Sequence, residues 1–231
     1  MFNKHKVSKI NKRLTSGCKP LDDILCGGFE IGVITQIFGE AGSGKTNICL
    51  QTAIKCAKDN GKVIFIDTEG ISNDRFIQIA GENSKDIAQN IIIYEPYSFE
   101  EQHAAIKKLD KITKENIDLI IMDSATMFYR LDLGDDELSM KTRRELTNQL
   151  GFLHILARKY SIAVIITSQV YTDINTGKVK SIGGTGLDHI SKTILHFEKT
   201  GIGIRRVKIH KHRSCPEGTM CKFTITNNGI Q

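Results

Sequence analysis

The sequence contains no run approaching the roughly 18 consecutive apolar residues that a membrane-crossing helix needs, so no transmembrane helix is expected. Its first stretch, MFNKHKVSKINKR, is basic but has no apolar centre, which argues against a secretory signal and makes a cytoplasmic setting the default expectation. It has no internal repeat and no low-complexity linker, so neither a repeat array nor a string of small domains is indicated. Six cysteines are present, but without C-x-x-C or H-x₃-H spacing His210, His212, Cys215 and Cys221 make no recognisable metal set. Cys49 and Cys56 fall at helical spacing as small apolar residues, and reduced, buried thiols are a simpler expectation than disulfides.

What is present is an ordinary globular composition: 231 residues, 40% hydrophobic and 25% charged, enough for one domain with a short appendage. The division expected is a basic N-terminal segment, 1–12, followed by a core over 13–231. A net charge of +6 favours a polyanionic partner. Part of it lies on Lys4, Lys6, Lys9, Lys12 and Arg13, where a solvated tail suffices as an explanation.

Residues 38–47 read FGEAGSGKTN, and Gly39 to Thr46 satisfy G-x-x-x-x-G-K-[ST] at every position. A glycine-rich turn lets successive backbone amides converge on phosphate oxygens, a lysine brings a point charge to the outer phosphates, and the last hydroxyl can ligate Mg²⁺. The phosphate cradle is therefore Gly39, Glu40, Ala41, Gly42, Ser43, Gly44, Lys45, Thr46 and Asn47, with ATP and Mg²⁺ as cofactors. Context agrees: GVITQIFG is β-rich and TNICLQTAIKCAK carries a helical apolar stripe, so the order is strand, turn, helix.

Apolar β-branched runs recur at 62–67, 90–95, 117–123 and 161–169, with helices read over 73–80, 99–114 and 137–160. That pattern predicts an α/β fold with a mostly parallel central sheet covered on both faces. After Gln169, residues 171–186 are polar and glycine-rich without periodicity and are expected to form a mobile loop. Segments 192–199, 204–211 and 222–227 alternate and predict antiparallel C-terminal strands.

Three further residues end apolar strands at the edge that carries the phosphate turn. Asp123 can hold the Mg²⁺ shell together with Thr46, Glu69 can polarise an attacking water, and Gln169 can sense the terminal phosphate. A carboxylate just past a strand is also often only a helix cap, and Asp67 and Asp123 each admit that plainer role.

In this order, GEAGSGKTNICLQ, FIDTEG, LIIMDSATMFYR, VIITSQV and IGGTGLDHISKTIL resemble the RecA-like recombinase ATPases, most closely the archaeal RadA group and its shorter RadB paralogues. The resemblance covers about residues 13 to 231 and implies a RecA-like core. It also implies an ATP-dependent role on DNA in homologous recombination and repair, with Glu69 activating water and Gln169 opening a DNA-contacting loop. The expected partners are DNA, in single-stranded form, and a RadA-type recombinase; a homodimer or weak oligomer is open.

The departures point to the RadB-like group. Only about a dozen residues precede the core, and no Phe-x-x-Ala segment of the filament-forming kind lies near the N-terminus. The stretch matching the first DNA loop, YRLDLGDDELS, holds Asp132, Asp135, Asp136 and Glu137, which repel phosphates. The second loop offers only Lys178 and Lys180.

One basic stretch, IRRVKIHKHRS, admits three roles. Arg206, Lys208, Lys211, His212 and Arg213 form a DNA-binding hairpin; or Lys211 and Arg213 meet the nucleotide of an adjacent subunit; or the strand is a solvated outer edge whose charges discourage aggregation. The function expected is an accessory recombination protein with weak ATP hydrolysis. A non-catalytic nucleotide-binding adaptor and a KaiC-like ATPase are the alternatives.

Overall fold

The structure, a computed structural model, describes residues 13–113, 116–131, 136–174, 177 and 179–231, with side chains described for all of these except 136–139. The basic segment 1–12, Lys178, Asp132 and Asp135, and the side chains of Asp136 and Glu137 lie outside the described residues.

In chain order the elements are β1 (Arg13–Leu14), α1 (Lys19–Ile24), β2 (Phe29–Glu30), β3 (Ile34–Gly39), α2 (Lys45–Lys58), β4 (Lys62–Asp67), α3 (Asn73–Ala80), α4 (Ser84–Ala88) and β5 (Ile91–Tyr94). There follow α5 (Phe99–Ile112), β6 (Ile117–Asp123), α6 (Met127–Leu131), α7 (Asp136–Tyr160), β7 (Ala163–Ser168), β8 (Val170–Thr172), β9 (Val179–Ser181) and α8 (Gly184–Ile190). The chain ends with β10 (Thr193–Lys199), β11 (Ile204–Lys211), β12 (Met220–Thr226) and β13 (Gly229–Ile230).

One sheet runs β13-β12-β11-β10-β3-β7-β6-β4-β5. From β10 to β5 all neighbours are parallel, and β11, β12 and β13 reverse direction in turn. The near-continuous apolar runs follow from two-sided burial, because successive side chains point to opposite faces. Val63, Phe65, Leu119, Ile121, Ala163 and Ile165 join the core under α2, while Ile64, Ile66, Ile120, Met122, Val164 and Ile166 join the core under α5 and α7. Local signals start the covering helices: the hydroxyls of Ser72 and Ser98 accept the amides of Arg75 and Glu101 at 3.2 and 3.1 Å.

Beyond β3 the two faces differ. Leu195, Phe197, Val207, Ile209 and Phe223 extend the first core across the antiparallel strands. On the opposite face Lys208, His210 and Lys222 are exposed and His196 stacks on Phe38 with ring centroids 4.5 Å apart.

Three expectations change. Residues 171–186 are not one long loop: β8 and β9 pair Val170 with Ser181 and Thr172 with Val179, and α8 begins within the glycines. Backbone pairing and a helix that buries only Leu187 leave no apolar period to read. The basic strand is not an outer edge, because β11 is paired on both sides, with β10 and β12. The thiols are not uniformly buried: all six are free, but Cys26 is exposed and Cys221 half-buried.

Phe197 anchors the antiparallel half, fully buried and 5.6 Å centroid to centroid from Phe223. Phe197→Ala is expected to lower the free energy of urea unfolding by about 3 to 5 kcal/mol. Ile202→Ala, at a side chain 102% exposed, should leave it unchanged.

Candidate nucleotide-binding site

The phosphate loop leaves the sheet between β10 and β7, at the carboxyl edge of the parallel strands. Gly39 ends β3 against the backbone of β10, where a Cβ would collide with the carbonyl oxygen of Phe197. Gly44 caps α2 with φ of 101°, a left-handed conformation that an L side chain rarely takes. The buried Lys45 folds back so that its Nζ donates to the carbonyls of Gly39 at 2.9 Å and Glu40 at 3.1 Å. Burial lowers its pKa, with Asp123 and Glu69 opposing that shift. The Ser43 hydroxyl is buried without a hydrogen-bond partner, an orphan group inside an anion-shaped loop.

Parallel register brings the other strand ends to the same edge: Asp67 sits opposite Asp123, and Phe38 opposite Ser168. Asp123 is 2% exposed and accepts hydrogen bonds from the hydroxyls of Thr167 and Thr46. Burial pushes its pKa up to about 6; the two threonines and Lys45 pull it back, and Glu69 adds to the rise. A hard oxygen set, Asp123 with the Thr46 hydroxyl, in a place where a negative charge lacks full compensation, is suited to Mg²⁺. The orphan Ser43 hydroxyl and the lysine beside it likewise suit a phosphate.

Asp67 is a builder, not a ligand. Its carboxylate accepts the amides of Glu69, Gly70 and Ile71 at 3.2, 2.8 and 2.5 Å and so shapes the turn that carries Glu69. Gln169 Nε2 donates to Glu69 Oε1 at 3.2 Å, and Gln169 Oε1 accepts from Arg130 Nη1 at 3.2 Å. Lys45, Glu69 and Asp123 are close enough to feel one another's charge, with Thr46 bonded to Asp123 and Gln169 to Glu69, so the five side chains lie in one neighbourhood. Asn47 points elsewhere, taking a 2.6 Å bond from Arg75 Nε, whose Nη1 binds the carbonyl of Thr226 at 2.9 Å.

Sequence reasoning missed three cations. Arg205 donates to the Gly42 carbonyl at 3.0 Å, and a methyl at Gly42 would approach Lys199 Nζ to 3.3 Å. Both belong to strands that reach the loop only through sheet pairing. Arg130 directly precedes the acidic stretch and had a signal, as the cation just after a strand-end motif.

The basic stretch 204–214 is not one surface. Arg206 and Lys208 share the open face with His210, and Glu198 binds Arg206 at 2.8 Å. Lys211 and Arg213 lie at the other end of β11, which pairs with the start of β10 and is therefore remote from this chain's own phosphate loop. There Lys211 donates to the Asp188 carbonyl at 2.7 Å, and Arg213 pairs with Glu30. His212 turns inward: its Nδ1 accepts the amides of Ser214 and Cys215 at 3.0 and 2.9 Å, and burial lowers its pKa. Lys180 pairs with Asp173.

A strand, phosphate loop and helix at the carboxyl edge of a mostly parallel sheet, with strand-end Glu69, Asp123 and Gln169 around it, define a RecA-like ATPase fold. The chain belongs to the Rad51 family, whose model matches residues 7–231. It is 64% identical over 225 residues to the DNA repair and recombination protein RadB of Methanococcoides burtonii, covering 97% of this chain and 100% of that one. The RadB protein of Archaeoglobus fulgidus is 42% identical, with 94% and 97% covered. A solved structure described as the crystal structure of the RadB recombinase superposes with a TM-score of 0.82 at 36% identity, over 94% of this chain and 98% of that chain. Among the described residues no helix is long and apolar enough to cross a membrane.

Because folding raises the Asp123 pKa from 3.8 to about 6, the folded state holds that proton more tightly, and its contribution to stability is lost as pH rises through that window. Asp123→Asn is expected to stabilise the ligand-free protein at pH 7.5 by on the order of 2 to 3 kcal/mol, narrowing towards pH 4.5. Denaturant titrations across pH measure this, and a pH-independent difference would remove the buried charge as its cause.

Proposed function

We propose that this chain binds ATP with Mg²⁺ at the phosphate loop, binds DNA beside it, and serves recombination and repair as an accessory to a RadA-type recombinase. The names of its curated relatives support the process, and the geometry supports the chemistry. Loop amides and Lys45 would receive the phosphates, Thr46 and Asp123 would hold Mg²⁺, and Glu69 would orient a water. The cation supplies neutralisation of charge on the outer phosphates.

One observation carries the DNA-coupled reading: Gln169 joins Glu69 to Arg130 through a single side-chain amide. Arg130 lines a cleft of about 670 Å³ with Arg143 and Tyr171. Cations interleaved with an exposed aromatic ring suit single-stranded nucleic acid, which takes phosphate contacts and base stacking together. A phosphate that draws Glu69 or Gln169 towards it changes how Arg130 is held, so ATP acts as a conformational ligand.

Hydrolysis is expected to be slow in an isolated protomer. Lys211 and Arg213 lie across the sheet from their own phosphate loop, so only a second copy brings them to a triphosphate; such cations contribute about 10³ to 10⁵ in rate. The open face bearing Arg206 and Lys208 is a second DNA candidate, favoured by the exposure of Lys208, His210 and Lys222.

Two measurements test this. Single-stranded DNA affinity against salt, with and without Mg²⁺ and ATP, should respond to nucleotide in the wild type and not in Gln169→Ala. Arg130→Ala with Arg143→Ala should reduce the slope of log affinity against log salt by about 1 to 2. An unchanged slope moves DNA to the open face. In single-turnover hydrolysis, Glu69→Gln should slow the reaction, and indifference to both Glu69 and DNA would favour a non-catalytic adaptor.

A further inference from the structure

Away from the nucleotide site, two cysteines separated by 189 residues in the chain have their sulfurs 2.8 Å apart. Cys26 is exposed in the turn after α1, and Cys215 is buried beside His212 in the turn between β11 and β12. The two thiols are in direct contact, and only a short further approach separates them from a bond of about 2.05 Å. We propose that Cys26 and Cys215 are a reversible oxidation site, forming an intrachain disulfide under peroxide.

A second observation points the same way. Cys26 follows the C-cap of α1 with φ of 57°, a left-handed conformation that glycine fills at least cost. Cysteine stands there at an energetic disadvantage, and its side chain is what reaches Cys215. The neighbouring imidazole fits a thiol partner better than a metal partner. His212 Nδ1 already accepts two backbone amides, so its proton sits on Nε2, which faces the Cys215 sulfur at 3.8 Å as a donor. Among the described residues no group of three or more His, Cys, Asp or Glu is arranged to hold a metal.

The chemistry divides the two roles by exposure. Hydrogen peroxide oxidises the accessible Cys26 to a sulfenic acid, releasing one water. The Cys215 sulfur then attacks that sulfur, its proton leaves with the hydroxyl as a second water, and both electrons of the S–S bond formation have gone to the peroxide. Burial and the neighbouring Cys26 push the Cys215 thiol up to about 11, which suits a resolving thiol that waits for its partner over one that reacts first. Three of the four remaining thiols, Cys18, Cys49 and Cys56, are buried and form a built-in control, while Cys221 is half-buried. Mechanically, the bond would fasten the α1 turn to the turn that presents Lys211 and Arg213.

The test uses the full chain, reduced and then treated with dilute hydrogen peroxide under native conditions, denatured, alkylated and mapped without reductant. The expected result is the loss of two thiols per chain, one peptide linking Cys26 to Cys215, and full recovery of both thiols with dithiothreitol. Cys26→Gly, suited to the left-handed backbone, should fold and form no cross-link, and Cys215→Ser should likewise lose it. The proposal is overturned if Cys215 stays alkylatable while Cys26 ends as sulfinic acid, or if Cys26 joins a second chain. It is also overturned if either variant still loses two thiols.

Discussion

A buried carboxylate at the end of a parallel strand is the constraint on which the site depends. Asp123 has almost no exposure, and its two threonine donors and Lys45 only partly offset what burial costs the charged form. The sheet keeps it there because its strand is the filling between two apolar cores. The penalty is held in the ligand-free state, and on the proposed reading it would be relieved by a cation sharing the carboxylate with the Thr46 hydroxyl. Lys45 is under the opposite tension, a buried ammonium leaning on loop carbonyls. The two strains would both be met by the ligand proposed above, a metal-bound polyphosphate, so that a preference for it would rest on the fold itself.

Much of this was legible in the sequence, for a definite reason. Parallel strands buried on both faces must be apolar throughout, so 62–67, 117–123 and the strand before Gln169 announced themselves and their carboxyl ends. Once those ends are known, parallel pairing brings Asp123, Glu69 and Gln169 to the phosphate loop with little freedom left. Illegible were contacts that depend on pairing across long stretches of chain. Arg205 at the Gly42 carbonyl requires β11 to return antiparallel beside β10, and Arg75 on Asn47 requires α3 to lean against α2. The β8–β9 hairpin is held by backbone bonds, which leave no side-chain pattern, and the Cys26–Cys215 approach spans most of the chain.

The reversal of direction at β11 has a consequence for charge. A basic run that reads as one patch in sequence is spread along a strand, and a strand of eight residues is roughly 26 Å long. Its beginning lies at the phosphate loop, where Arg205 binds Gly42, and its end lies at the opposite rim, where Lys211 and Arg213 gather. The middle presents Arg206 and Lys208 to the open face, with Glu198 holding the first. One segment thus delivers cations to three separate surfaces, and what each meets is set by distance from the loop.

The proposed coupling of the phosphate site to the cleft beside Arg130 would run through short connections, not through rearrangement of the sheet. Gln169 follows β7 and has its amide nitrogen fixed by the Thr126 hydroxyl at 3.1 Å, so only its side chain is free to choose partners. Its two ends already touch Glu69, in the turn after β4, and Arg130, in α6. On the proposed reading, a phosphate competing for either contact would shift the other without disturbing the buried register of β7 between β3 and β6. A rigid sheet with one adjustable amide at its rim could serve as a small bistable element, and in the proposed function it is how nucleotide state would reach the neighbouring cleft at modest energetic cost.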